Sequence, residues 1–232
     1  MNKWFAKIWK QENGSIAIFV AGLISIMMIL FILVLNLGSV YAVKEKSATT
    51  AQQASLAATS AFYERVQEIV FSFDPFSYLP EEVEDTTILE PFFSLNFKIQ
   101  ERANSFRTMP SYAGWSDNEL WLEAFDDYVI NDLFPVPFAG SALKQMLRLA
   151  PLENVAAGKA REAVLQNGGT LEGARLIIED SRIKVRAANK INSISFGDDL
   201  IDSITDNLYQ QGGGPKIELL NHIWNGSANI SL

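Results

Sequence analysis

From Ser15 to Val43 the chain runs for 29 positions without a charged residue, "SIAIFVAGLISIMMILFILVLNLGSVYAV". Roughly 20 helical residues already cross a hydrocarbon core at about 1.5 Å of rise each, so this run reads as a membrane span. Lys3, Lys7 and Lys10 precede it against Glu12. Basic residues stay on the cytoplasmic side, which orients the N-terminus inward and residues 47 onward outward. A cleavable signal needs only about 7 to 15 apolar residues before a small-residue site. This run is twice that, and "GSVYA" (Gly38 to Ala42) is the cleavage site of that alternative, a secreted protein.

With 232 residues there is room for an anchor and one modest outer domain. The 19 basic against 27 acidic residues, net -8, argue against a nucleic-acid surface. No cysteine is present, so disulfides, thiolate metal sites and a cysteine nucleophile are excluded.

After Val43 comes "KEKSATTAQQASLAATSAFYERVQEIVFSF", without proline or glycine until Pro75 and rich in alanine and glutamine. The span is therefore predicted to continue as one helix over residues 16–71, on the order of 80 Å long. The segment from Asn13 to Phe62 resembles the N-terminal part of Tad-type (Flp pilus assembly, TadE/TadG-like) proteins. A short basic tail, a glycine followed by a small residue, a long apolar helix and an alanine-rich extension come in that order. The resemblance covers about the first 65 residues. It implies a bacterial envelope protein and makes Gly14 and Ser15 the candidate processing site. Pilin-type subunits carry a glutamate five residues after that point, where this chain has Phe19. That departure favours an anchored or minor component over a major filament subunit.

Ala17, Ala21 and Ser25 recur at four-residue spacing beside Gly22, and Gly38 with Ala42 repeats the spacing near the outer end. Small residues so placed let another helix approach closely, although they are also common in spans generally. Asn36, a polar side chain within the span, calls for a partner helix or interfacial water. Ala51, Ala54, Ala58 and Ala61 continue as a seam suited to close helix packing, flanked by Leu56, Phe62, Val66 and Ile69, the alternative being a solvent-exposed stalk held by alanine propensity alone.

Beyond Phe73, three prolines mark a boundary, and seven aromatic residues between Phe71 and Phe97 make it too apolar for a disordered linker. From Asp74 to Asp132 there are 13 acidic and 3 basic residues. This acidic, aromatic stretch is either a docking surface for a basic partner or calcium, or a solvated face around an ordinary core. "DDYVIND" (Asp126 to Asp132) is read as helix surface, with Ser116 and Glu119 as a capping box opening that helix. A further helix is expected over Leu152 to Gln166, stopped by Asn167 and Gly168. A hairpin follows, Ala174 to Glu179 and then a two-residue alternation in which Arg182, Lys184 and Arg186 form a basic row. That row is free to meet the acidic stretch or simply to face solvent. "GDDLIDSITDNLYQQGGG" is expected to form a short helix with Leu200, Ile201, Ile204 and Leu208 inward, and "IELLNHIWNG" a terminal docking helix.

Chemistry has thin support. His222 is the one histidine, and no nucleophile elbow, phosphate loop or paired-histidine motif occurs. Asp198, Asp199, Asp202 and Asp206 invite a metal, but Asp198 as a helix N-cap accounts for the first of them without one. The expected architecture is α+β: a basic cytoplasmic tail (1–14), a transmembrane helix (15–43), its helical extension (44–73) and an extracytoplasmic domain of helices plus a β-hairpin (74–232). The expected function is a non-enzymatic component of a Tad/Flp-like pilus or secretion assembly in the bacterial cell membrane. Its partners would be the membrane, other assembly proteins and copies of itself, with no cofactor, metal or nucleic acid. The alternatives are an anchored module binding a ligand through the acidic aromatic stretch and, third, an anchored hydrolase.

Overall fold

The computed structural model describes residues 12–192, 205–224 and 226–232. Lys3, Lys7, Lys10, Asp198, Asp199 and Asp202 lie outside them. Helix α1 runs unbroken over Glu12–Ser72, 61 residues and so about 90 Å. No proline interrupts it. It stops where Asp74 accepts the Phe76 N–H and Pro75 occupies the first position of a short 3-10 turn, a combination that starts a new element. A second 3-10 turn (Thr86–Phe92) leads to α2 (Leu95–Arg107), and then α3 (Asp117–Tyr128) opens on the capping box of Ser116 and Glu119. Helices α4 (Ala139–Leu149) and α5 (Leu152–Gln166) follow, the latter closed by Asn167 and by Gly168 at φ 68°.

The expected hairpin is present but longer, and it is the centre of a larger sheet. Strands β1 (Thr170–Glu179) and β2 (Arg182–Asn192) turn through Asp180 and Ser181, at φ 53° and 56°. Two left-handed central residues match the twist of the flanking strands. With β3 (Thr205–Gly213) and β4 (Ala228–Ser231) they form an antiparallel sheet in the order β3-β2-β1-β4, and α6 (Leu220–Ile223) is a single turn before β4. The protein is thus mostly helical with one antiparallel sheet, an α+β fold. The helix expected across "GDDLIDSITDNLYQQGGG" is corrected: residues 205–213 are strand, and the remainder up to Ile204 lies outside the described residues. The spacing of Leu200, Ile201, Ile204 and Leu208 imitates a helix face. Pairing with β2 and the crossing of α1 override it.

The second half of α1 packs against α5 on one side and β2 and β3 on the other. Ala51, Ala54 and Ala58 are fully buried, and Ala61, Phe62 and Val66 extend the same core. Small side chains here bring main chains together. A Cβ added to Gly212 would lie 2.4–2.5 Å from the backbone of Ala51 and Gln52, whereas one on neighbouring Gly213 would meet only the Lys184 side chain at 3.6 Å. The Gln52 amide then completes the edge of β3, donating to the Gly213 carbonyl and accepting from its N–H.

Polar groups lock the register of helix on sheet. Ser55 Oγ donates to the Ile183 carbonyl at 2.6 Å. Asn189, 2% exposed, accepts from Thr50 Oγ1 through its side-chain oxygen, and its backbone N–H donates to Ser47 Oγ. Its amide nitrogen reaches the carbonyls of Asn167 and Gly168. One side chain thereby ties α1, β2 and the α5–β1 turn, with its own polar atoms satisfied as burial requires.

Three substitutions test this seam by thermal and denaturant unfolding of the detergent-solubilised protein. Gly212→Ala should cost about 1–3 kcal/mol through overpacking, while Gly213→Ala stays within about 0.5 kcal/mol of the parent. Asn189→Ala should cost about 2–3 kcal/mol by stripping buried carbonyls of their donors. Equal behaviour of the two glycine variants would contradict the close approach of β3 to α1.

Candidate functional site

From Ile16 to Lys46 every side chain of α1 is exposed or half-exposed, and Ser47 is the first buried one. Phe19 and Leu37 are 69% and 73% exposed. A shaft so apolar cannot face water without cost. Each large side chain is worth roughly 1.5–3 kcal/mol when buried. The helix is long and apolar enough to cross a membrane.

The residues singled out for helix packing divide into two sets. Ala51, Ala54, Ala58 and Ala61 are buried within the chain's own domain. Ala17, Ala21, Ser25 and Ala42 lie on the exposed shaft, and a Cβ on Gly22 or Gly38 would meet nothing within 4 Å. Ser25 Oγ donates to the Ala21 carbonyl at 2.8 Å, so its hydroxyl needs no outside partner in an apolar setting. The Gly14–Ser15 peptide bond falls in the first turns of α1.

The acidic middle segment is organised rather than merely solvated. Its three basic residues are each held by acids of the same segment: Lys98 by Glu90, Arg102 by Asp127 and Asp132, Arg107 by Asp117. The Arg102 clamp depends on a local irregularity. Residues Val129–Leu133 form a π-helical turn, with Phe134 N–H donating to the Val129 carbonyl. In a regular α-helix, residues five apart diverge by about 140°, but the wider turn brings them toward one face. Asp127 and Asp132 thereby meet one guanidinium at 2.6 and 2.7 Å, which also sits 5.1 Å over the Tyr128 ring.

Asp126 corrects the surface reading of "DDYVIND": it is 3% exposed. Its Oδ2 accepts from the Tyr63 hydroxyl at 2.9 Å and from the Leu219 N–H at 3.4 Å, joining α1, α3 and the C-terminal segment. Its Oδ1 has no partner among the described residues. Burial pushes its carboxyl up to about 7, with Glu123 adding to the rise and the Tyr63 and Leu219 hydrogen bonds opposing it. The same burial drives the Tyr63 phenol upward, as does the neighbouring acid. Two adjoining cavities of about 440 and 420 Å³ open above this contact, sharing Tyr63, Glu119, Leu122 and Pro215 as walls. Glu123 and Glu218 line the second; burial and the Glu218 charge raise the Glu123 carboxyl.

The basic row of β2 makes no ion pair with the acidic segment among the described residues. Lys184 binds Glu179 and Asp180 of its own hairpin, Arg182 donates to the Gly214 carbonyl and Arg186 stacks on Tyr209. Only Arg182 approaches the acidic stretch, as a wall of the cavity shared with Glu119 and Glu123. His222 lies 6.2 Å from the Phe134 ring and gives its carbonyl to Arg148. Among the described residues no group of three or more histidine, aspartate or glutamate side chains is arranged to hold a metal. Sequence periodicity missed Asp126 because an aspartate in a run of acids resembles a solvated helix face; the signal that could have found it is its place beside Phe125 on the apolar side.

Residues 14–61 match the family model described as Putative Flp pilus-assembly TadE/G-like. The matched segment is α1 from its first turns through Ala61. Neither a curated protein nor a solved structure matches the chain.

The buried acid predicts a pH dependence of stability. A carboxyl raised from 3.8 to about 7 binds its proton more tightly in the folded state, so its contribution is full below pH ~4 and is lost as pH rises through ~7. The loss should be on the order of a few kcal/mol. Asp126→Asn keeps an acceptor for Tyr63 and should flatten that slope, leaving the variant more stable than the parent at pH 8. Parallel unfolding curves for the two proteins between pH 4 and 8 would sink this reading.

Proposed function

We propose that the protein is a non-enzymatic, membrane-anchored structural component of a Tad/Flp-like pilus or secretion assembly. It would cross the bacterial cell membrane once, its N-terminus cytoplasmic and its domain outside. One observation carries the reading: the family-matched segment runs from exposed apolar shaft, up to Lys46, into domain core, from Ser47 to Ala61, in a single helix without a hinge. The shaft offers apolar surface and small residues to neighbouring helices, and whatever displaces it moves the folded domain as one body. Contacts with other assembly proteins or further copies of this chain fall on Ala17, Ala21, Gly22, Ser25, Gly38 and Ala42. Gly14–Ser15 is the candidate processing bond. Released at Ser15, the shaft would begin with an amine, and Phe19 supplies no carboxylate to neutralise its neighbour's.

A second reading is favoured by the acidic groove. Glu119, Glu123 and Glu218 outnumber Arg182 and Lys216 on its walls, and Lys216 already pairs with Glu218, so the remaining acids with Tyr63 suit a cationic segment of a partner, which would make the domain an anchored binding module. The two readings separate experimentally. Because the chain lacks cysteine, single cysteines at positions 17 and 25 give clean crosslinks in membranes of the native host. Under the assembly reading, Ala21→Leu combined with Gly22→Leu should cut crosslinking and recovery of assembly partners at least about tenfold, since bulky side chains block close helix approach. Glu123→Gln with Glu218→Gln should leave both unchanged. The reverse pattern would favour the binding module, and a mature N-terminus at Ser15 rather than Met1 would identify the processed form.

A further inference from the structure

The charge-free run ends at Val43, and Val43 is also a wall of a cavity of about 540 Å³ formed with the α5–β1 turn and the end of β2. Strand β2 runs antiparallel to α1, since Ile183 meets Ser55 while Asn189 meets Ser47 and Thr50. Its last residues and the α5–β1 turn therefore form the end of the domain nearest the apolar shaft. Two lysines line the cavity, Lys46 from α1 and Lys190 from β2. The Lys46 ammonium lies 3.4 Å from where a Cβ on Gly168 would sit, over a turn that presents no side chain there.

These lysines differ from those farther out in the domain. Lys98, Lys159, Lys184 and Lys216 each pair with an acid, and Lys144 sits over the Phe134 ring. Lys46 and Lys190 make no such contact with a described residue, and neither does Lys44. Among the described residues the one acid lining the cavity, Glu172, already accepts from the Asn207 amide at 3.2 Å. Two cations against one carboxylate leave a net of +1, the complement of a single phosphodiester. Beside them Leu165, 54% exposed, and half-buried Leu171 offer apolar surface on the same wall.

We propose that this cavity binds the headgroup of an anionic phospholipid, its phosphodiester between Lys46 and Lys190 and its acyl chains running along the shaft from Val43. The proposal rests on the reading that α1 spans a membrane. If so, the cavity lies at the depth where phosphates stand, and the bound lipid fixes how far the domain stands above the bilayer. A lysine near an anionic surface contributes about a fivefold gain in binding.

Native mass spectrometry of the full-length protein released from nanodiscs tests this, using phosphatidylglycerol and phosphatidylcholine of matched chains. The parent should retain phosphatidylglycerol about fivefold or more over phosphatidylcholine. Lys46→Gln and Lys190→Gln should each remove most of that preference, and Lys44→Gln, the same charge change outside the cavity, should keep it. An equal loss with Lys44→Gln would mean diffuse surface charge and overturn the site, as would no preference in the parent. Displacement of the lipid by millimolar inorganic phosphate would overturn the lipid assignment in favour of a soluble anion. Flotation with liposomes after carbonate extraction separates the two failures: a protein that floats but shows no lipid preference loses only this site, and one that does not float loses the anchor and the site together.

Discussion

The contact of the α1 main chain with β3 at Gly212 governs the rest of the molecule. A helix can lie this close to a sheet only where both surfaces are nearly bare, and here Ala51, Ala54 and Ala58 meet a strand whose Cβ atom is missing at the crossing point. Such proximity excludes water, so polar groups caught between the layers must find partners there. Ser47, Thr50, Ser55 and Asn189 do so by bonding one another and the strand carbonyls. The seam is therefore specific as well as tight. A slip of α1 by one residue would turn these side chains away from their partners and bury them unpaired.

Much of this was legible in the sequence, for identifiable reasons. Helix α1, the capping box at Ser116 and the helix at Leu152–Gln166 depend on local signals: absence of proline, cap residues, a glycine stop. The hairpin at Asp180–Ser181 follows from a two-residue alternation around a polar pair. Strand β3 was not legible because its sequence, Thr-Asp-Asn-Leu-Tyr-Gln-Gln-Gly-Gly, is dominated by residues of little strand propensity and is held by what lies on either side. Asp126 was hidden for the opposite reason. Composition makes it one acid among many, and only the fold places Tyr63 and Leu219 against it. The seam alanines were readable as packing residues, but not whether their partner was another chain or this one.

That distinction changes how the family likeness is understood. The matched residues 14–61 contain both exposed shaft and buried seam, and stop before α2 to α6 and the strands. Likeness is thus confined to the element on which everything else is mounted. Alanine at 51, 54 and 58 answers to this domain, whereas alanine at 17 and 21 is exposed among the described residues. The same residue type in one helix serves internal packing at one end and is available for external packing at the other.

Continuity of α1 also sets the mechanical character of the protein. A jointed linker would let shaft and domain reorient independently, and the domain's charge pattern would then have no fixed relation to the membrane. Here no proline or irregular turn separates Val43 from Ser47, so any rotation of the shaft turns the folded domain with it. The acidic groove beside Tyr63 and the lysine at 46 stand about 25 Å apart along the α1 axis by 1.5 Å per residue. An anionic bilayer attracts the lysine end and repels the acidic one. Were the shaft to span a membrane as proposed, this charge asymmetry would act with it to hold the domain upright, the groove beside Tyr63 turned away from the bilayer.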